Sequence, residues 1–124
     1  MQVLVVDDEV DVCTLFQQRF RKELRAQKIS FSFANSGKEA LSYLRDHTNE
    51  SITVLSDINM PGMSGLELLR HIRQEFKTAQ PSVYMITAYG DSENYDQAIR
   101  LGANDLLTKP LDFNLLRQKL QIDG

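Results

Sequence analysis

Short apolar runs alternate with amphipathic stretches along the chain, and this alternation predicts the order of the secondary structure elements. Residues 3–6 form a continuous, mostly β-branched apolar run, which is typical of a strand buried on both faces. Residues 10–26 carry apolar side chains at helical spacing and predict a first helix. From residue 29 to residue 33 apolar side chains alternate with serine, which predicts a half-exposed strand at a sheet edge.

The same alternation continues to the end of the chain and predicts five strand–helix units. Further strands are expected at residues 52–55, 83–86 and 106–107, and further helices at 37–46, 66–76, 91–101 and after Asp112. Gly102 is the expected C-cap of the fourth helix, and Asp112 is the expected N-cap of the fifth. Strands that alternate with helices indicate an α/β doubly wound fold, with a parallel sheet covered on both faces.

Length and composition narrow the class of protein. A chain of 124 residues with a net charge of −3 fits one domain, and the mild acidity argues against direct binding of nucleic acid. No apolar run approaches the roughly 20 residues that span a membrane, and the early Asp7-Asp8-Glu9 excludes a secretory signal. The single cysteine, Cys13, excludes an internal disulfide and a cysteine-based zinc site. We expect one cytoplasmic domain over residues 1–124, with no output domain in this chain.

Polar side chains stand where the predicted strands end. Asp7 and Asp8 follow strand 1, Asp57 follows strand 3, Thr87 ends strand 4, and Lys109 follows strand 5. Ligands of open parallel sheets bind outside the carboxyl ends of the strands, where the strand order reverses. If the strand order is 2-1-3-4-5, the three aspartates share one pocket, and Thr87 and Lys109 approach it from the side.

Three carboxylates in one pocket repel each other. Two unit charges about 4 Å apart interact by roughly 4 kcal/mol at an effective dielectric constant near 20. Lys109 supplies one positive charge, which does not balance three negative ones. Because all the available ligands are oxygens, a hard divalent cation such as Mg²⁺ is the natural counterion, in a weak site that a phosphoryl group completes.

A carboxylate beside a metal, a hydroxyl and a lysine indicates phosphoryl transfer to aspartate. Asp7 and Asp8 are adjacent and resemble a metal-binding pair, whereas Asp57 stands alone and is the better candidate nucleophile. Structural roles remain open for each group. Asp7 and Asp8 are also suited to capping the first helix, Asp57 to capping a loop, and Thr87 to bonding the backbone.

The residues at the strand ends resemble the response-regulator receiver (CheY-like) family. The resemblance covers the whole chain in the family's order, and its motifs are Val5-Val6-Asp7-Asp8-Glu9, Ser56-Asp57-Ile58-Asn59-Met60-Pro61-Gly62-Met63-Ser64-Gly65, Thr87-Ala88 and Lys109-Pro110. The resemblance implies a flavodoxin-like (βα)5 fold. It also implies that Asp57 accepts a phosphoryl group from a sensor histidine kinase or a histidine phosphotransfer protein.

The resemblance also implies a role for each residue of the site. Asp8 and Asp57 would ligate Mg²⁺ through their side chains, Asn59 through its backbone carbonyl, and Asp7 mainly through water. Thr87 and Lys109 would bind the phosphoryl oxygens. The peptide before Pro110 resembles one that is often cis in the family and would aim Lys109 into the site.

Phosphorylation in this family would pull Thr87 inward and change the face formed by the fourth helix, the fifth strand and the fifth helix. That face would dock a partner protein or output domain, or form a homodimer. The family often has Tyr or Phe three residues before the lysine, where this chain has Leu106. Leucine cannot reproduce the motion of an aromatic ring, so output is expected to pass mainly through the loop of Tyr89 and Gly90. Asn59 and Tyr89 would tune the rate of dephosphorylation.

Three alternative functions fit this pattern of residues less well. A haloacid-dehalogenase-like phosphatase also uses a nucleophilic aspartate, but it usually places a second aspartate two residues later, where this chain has Asn59. A receiver-like scaffold that no longer takes phosphate would not need Asp57, Thr87 and Lys109 together. Flavin binding is poorly supported, because the loop after strand 1 is acidic.

Overall fold

The computed structural model of the protein describes residues 1–76, 81–88 and 92–121. Its five strands are β1 (Gln2–Val6), β2 (Ser30–Ala34), β3 (Ile52–Asp57), β4 (Ser82–Ala88) and β5 (Asp105–Lys109). Its helices are α1 (Asp11–Arg19), α2 (Arg21–Arg25), α3 (Gly37–Asp46), α4 (Gly65–Glu75), α5 (Ser92–Arg100) and α6 (Phe113–Leu120). All strand pairs are parallel, and the sheet order β2-β1-β3-β4-β5 confirms the predicted doubly wound fold.

Helices cover both faces of the sheet. Leu4 and Val6 of β1 belong to an apolar cluster with α3, α4 and α5. Val3 and Val5 belong to a second cluster, with residues of α1 and α6. Consecutive residues of β1 therefore lie in opposite cores, which is why this strand is apolar at every position from residue 3 to residue 6.

The predicted first helix is two helices, which corrects the expectation of one helix over residues 10–26. The break falls at Phe20, whose ring is fully buried and packs edge-on against Phe31 and Phe113. The guanidinium of Arg117 donates a hydrogen bond to the carbonyl of Arg19, the last residue of α1. A carbonyl at a helix end needs such a partner. The contact with α6 supplies it and stabilises the break, which local helical spacing does not reveal.

The remaining elements follow their sequence signals. The Asp112 side chain accepts hydrogen bonds from the backbone N–H groups of Asn114 and Leu115, as expected of an N-cap. Gly102 ends α5 with φ at +97°, a conformation that glycine adopts without strain. Among the described residues, no helix has the length and apolar character that crossing a membrane requires. Because the predicted first helix is split, the predicted fourth and fifth helices are α5 and α6.

Arg73 of α4 is half-buried and binds segments that are distant in the chain. Its guanidinium donates hydrogen bonds to the carbonyls of Pro81 at 2.7 Å and Gly102 at 2.8 Å, and to Oδ1 of Asn104 at 2.9 Å. The Asn104 backbone N–H in turn donates to the carbonyl of Val83 at 2.8 Å. Arg73 therefore joins α4 to the start of β4 and to the turn before β5.

Replacing Arg73 tests this junction. Arg73→Met removes the donor of the partly buried Pro81 carbonyl and of two more exposed acceptors, so we expect the free energy of unfolding to fall by about 1–3 kcal/mol. Arg70→Met is the matched control, because Arg70 is exposed on the same helix, and its change should stay within about 0.5 kcal/mol. Urea denaturation of the two variants checks this. Equal stabilities would show that the Arg73 contacts contribute nothing.

Candidate functional site

The site lies at the carboxyl edge of the sheet, between β1 and β3. Asp7 directly follows β1, and its backbone N–H donates to the carbonyl of Ala34 at the end of β2. Asp57 is the last residue of β3, and Lys109 is the last residue of β5. From β1 the chain crosses to β2 on one side, and from β3 it crosses to β4 on the other. The reversal leaves a crevice where these side chains meet.

Three carboxylates converge in this crevice. Asp7, Asp8 and Asp57 each offer one oxygen, and these atoms lie within 4.8 Å of one another. Asp57 is 3% exposed, whereas Asp8 is open to solvent. An oxygen-only set of this kind fits a hard divalent cation such as Mg²⁺, and its open side leaves room for waters and for a phosphoryl oxygen.

Lys109 reaches the most buried carboxylate of the cluster. Its Nζ donates to Oδ2 of Asp57 at 2.8 Å, while the backbone N–H of Asn59 donates to Oδ1 at 3.1 Å. The hydrogen bond to Asp57 raises the pKa of Lys109 above its ordinary value, so the ammonium stays charged. Both oxygens of Asp57 are thereby oriented, one by the end of β5 and one by the loop after β3.

The pKa of Asp7 is shifted by its place in the carboxylate cluster. Burial raises the pKa of the Asp7 carboxyl above its ordinary value, and the negative charge of Asp57 adds to the effect. The backbone N–H of Glu9 opposes the shift by donating to Oδ1 of Asp7 at 2.9 Å. One lysine therefore does not neutralise the site, and a bound cation would relieve the remaining repulsion.

The hydroxyl of Thr87 is buried and has no partner in the part of the chain that the structure describes. Thr87 is 2% exposed, and no hydrogen bond within residues 1–76, 81–88 and 92–121 includes its Oγ1. It lies in β4 one residue past Ile86, which is paired with Asp57 in the sheet. A buried hydroxyl without a partner is costly. This group is therefore available to an oxygen brought to Asp57 by a ligand.

Five other residues were singled out by the sequence, and the structure describes three of them. The Lys109–Pro110 peptide is cis. Leu106 is buried in the apolar cluster with α3, α4 and α5, and its neighbour across the strand pair is Met85. The ligand role of the Asn59 carbonyl stays a prediction. Tyr89 and Gly90, the predicted output loop, lie outside the described residues.

Two residues around Asp57 have backbone roles that patterns of charge do not reveal. A Cβ on Gly65 would lie 2.2 Å from the carbonyl oxygen of Asp57, so only glycine allows α4 to start against the end of β3. The Gly65 backbone N–H also donates to the carbonyl of Ile58 at 2.8 Å. The hydroxyl of Ser56 donates to the carbonyl of Asp57 at 3.0 Å. These contacts hold the backbone of Asp57.

Comparison with known proteins decides the family. The family model described as response regulator receiver domain matches residues 3–121. The chain belongs to this family. It is 36% identical over 123 residues to the transcriptional regulatory protein ZraR of Escherichia coli, covering 98% of this chain and 26% of that protein. It is 37% identical over 117 residues to the response regulator protein PilR of Pseudomonas aeruginosa, covering 94% and 24% respectively.

Solved structures of receiver proteins share the fold. The Vibrio cholerae chemotaxis protein CheY4 superimposes with a TM-score of 0.79 at 26% identity, over 97% of this chain and 95% of that chain. The chain spans about a quarter of the length of ZraR and PilR. The protein therefore contains a receiver domain of the two-component response regulators, a family of phosphoacceptor switches.

The raised pKa of Asp7 predicts how stability depends on pH. The folded receiver domain binds a proton at Asp7 more tightly than the unfolded chain does, so ionising Asp7 lowers stability as the pH rises above the ordinary aspartate range. Without metal, Asp7→Asn should therefore raise the free energy of unfolding by about 1 kcal/mol at neutral pH. The gain should shrink as the pH falls from neutral toward the ordinary pKa of aspartate, and it should be absent below that pKa. The exposed Asp46→Asn is the control, and a gain that did not depend on pH would contradict the electrostatic cause.

The unpartnered hydroxyl of Thr87 predicts a stabilising substitution. Thr87→Val keeps the shape of the side chain and removes the buried polar group, so thermal unfolding should show a gain of about 1 kcal/mol. Thr108, its paired neighbour on β5, is exposed, and Thr108→Val should change stability by less than about 0.5 kcal/mol. A loss of stability in Thr87→Val would indicate that the hydroxyl has a partner in the resting protein.

Proposed function

We propose that Asp57 of this receiver domain accepts a phosphoryl group from a phosphohistidine of a sensor kinase or a phosphotransfer protein, in a reaction that requires Mg²⁺. The observation that carries the proposal is the buried Asp57 carboxylate, oriented by Lys109 and lying within 4.8 Å of two further carboxylates. The protein would act as a regulatory switch and would catalyse only its own phosphorylation and dephosphorylation.

The transfer requires a free oxygen on Asp57. A carboxylate oxygen attacks phosphorus and forms a P–O bond, while the P–N bond to the donor histidine breaks and the electron pair leaves with the imidazole. Lys109 donates to Oδ2 of Asp57 at 2.8 Å. It would donate instead to a phosphoryl oxygen as negative charge develops on that oxygen. Thr87 would donate its unpartnered hydroxyl to another oxygen of the same group.

A metal ion fits the oxygens of the site. Asp8 and Asp57 would hold Mg²⁺ directly, the backbone carbonyl of Asn59 would complete the protein ligands, and Asp7 would act mainly through water. When bound, the ion would neutralise charge on the phosphoryl oxygens. The excess of carboxylates over the single Lys109 supports this assignment.

The signal would leave the site through β4. Drawing the Thr87 hydroxyl toward a phosphoryl group would move the end of β4 and change the face formed by α5, β5 and α6. Tyr95 and Ile99 on α5 and Leu115 on α6 are exposed there, so this face has apolar side chains available to a partner protein, an output domain or a second copy. Leu106 replaces the usual aromatic ring, so Thr87 would carry the switch without it.

The wider context of the domain is part of the same proposal. ZraR is a transcriptional regulatory protein about four times as long as the matched region, so an output domain that this domain controls is proposed by analogy. The phosphodonor would be a protein of the cytoplasm, where a single free cysteine stays reduced.

Intact mass spectrometry after incubation with Mg²⁺ and acetyl phosphate tests the proposal. The parent should gain one phosphoryl adduct, and the adduct should be absent in Asp57→Asn and in the presence of EDTA. Asp46→Asn is the matched control and should be phosphorylated like the parent. A purified histidine kinase provides a second donor. Absence of the adduct with both donors would favour the scaffold interpretation, and an adduct that persists in Asp57→Asn would place the acceptor elsewhere.

A further inference from the structure

The basic side chains of the receiver domain are concentrated in one segment. Residues 19–28 carry five of the fourteen basic residues and one of the seventeen acidic residues. The rest of the chain therefore has nine basic residues against sixteen acidic ones. The modest net charge of −3 conceals a polarised distribution, which the composition alone did not reveal.

The one acidic residue of the segment does not offset this charge at the surface. Glu23 is 5% exposed and accepts a hydrogen bond from Nε of Arg117 at 3.0 Å. Burial alone would raise the pKa of the Glu23 carboxyl, but the contact with Arg117 holds it below its ordinary value. The pair is therefore ionised and internal, and the five other basic residues face the surface.

The helix break gathers these residues around a groove. Arg117 contacts both the Arg19 carbonyl and Glu23, so it links the end of α1 and the middle of α2 to α6. A groove of about 790 Å³ opens between these helices, within the size range of ligand clefts. Its polar lining residues include Gln18, Arg19, Arg21, Lys22, Lys28 and Asn114.

The groove is separate from the phosphorylation site. The carbonyl of Lys28 accepts a hydrogen bond from the amino terminus of Met1, which precedes β1, whereas Asp7 follows β1. The length of that strand separates the two by about 20 Å, more than the Debye length of about 8 Å at physiological ionic strength. No ion pair among the described residues includes Arg21, Lys22 or Arg25.

We propose that this groove binds an acidic segment of a protein, rich in Asp and Glu. Arginine and lysine side chains at its rim match carboxylates, and the amides of Gln18 and Asn114 can pair with a peptide backbone. A nucleic acid is disfavoured, because a longer polyanion would extend from the groove over a surface with an excess of acidic residues. A membrane is disfavoured because Leu24, the one apolar residue of α2 larger than alanine, packs into the core.

Fluorescence anisotropy with a labelled ten-residue oligoglutamate tests the proposal. At low salt the parent should bind the peptide, and Arg21→Glu/Lys22→Glu should weaken binding by at least about tenfold. Arg70→Glu/Arg100→Glu makes the same change of charge at exposed residues outside the groove and should alter affinity by less than about threefold. Amide NMR shifts in the parent should map to α2 and to Asn114.

Three outcomes would overturn the proposal. The first is absence of peptide binding by the parent at low salt. The second is equal weakening in both double variants, which would indicate attraction to net charge alone. The third is tighter binding of a ten-residue oligothymidylate than of the peptide at the same residues, which would assign the groove to nucleic acid. None of these results depends on Asp57, so phosphorylation and groove binding can fail separately.

Discussion

The repulsion among Asp7, Asp8 and Asp57 is the constraint on which the rest of the structure depends. A site built for stability would not bring three carboxylate oxygens within 4.8 Å of one another beside a single lysine. Burial raises the pKa of Asp7 and the charge of Asp57 adds to the shift, while the buried hydroxyl of Thr87 has no partner among the described residues. With the cation and the phosphoryl group proposed above, the ionised Asp7 and the Thr87 hydroxyl would each gain a favourable partner.

The fold keeps this cluster together by holding the backbone rather than the side chains. The sheet order leaves a crevice beside β1 and β3, and the register between β3 and β4 places Thr87 near Asp57. Gly65 lets α4 begin against the Asp57 carbonyl, and Ser56 donates to the same oxygen. The side chains of Asp8 and Lys109 can therefore remain exposed to ligands while packing and backbone hydrogen bonds fix the chain that carries them.

Two arginines show how tertiary contacts override an amphipathic pattern. Arg73 and Arg117 occupy helix positions where solvent is the ordinary expectation, yet both donate to backbone carbonyls of distant segments. The long side chain and several donors of arginine allow it to cap a helix end or a turn that is close only in the folded state. Arg117 also pairs with the buried Glu23 beside the basic groove. This one ion pair therefore helps to form a surface far from Asp57.

The sequence by itself determined the order of the elements and the parallel sheet, and it identified the residues of the candidate site. Apolar runs and polar strand ends are local signals. Once parallel strands are aligned, they place Asp7, Asp57, Thr87 and Lys109 at one edge of the sheet. Only the tertiary structure decided that the first helix breaks at Phe20, that Arg73 is a junction, and that Thr87 lacks a partner among the described residues. Each of these depends on contacts between residues far apart in the chain, such as the 98 residues between Arg19 and Arg117, and helical spacing carries no information about them.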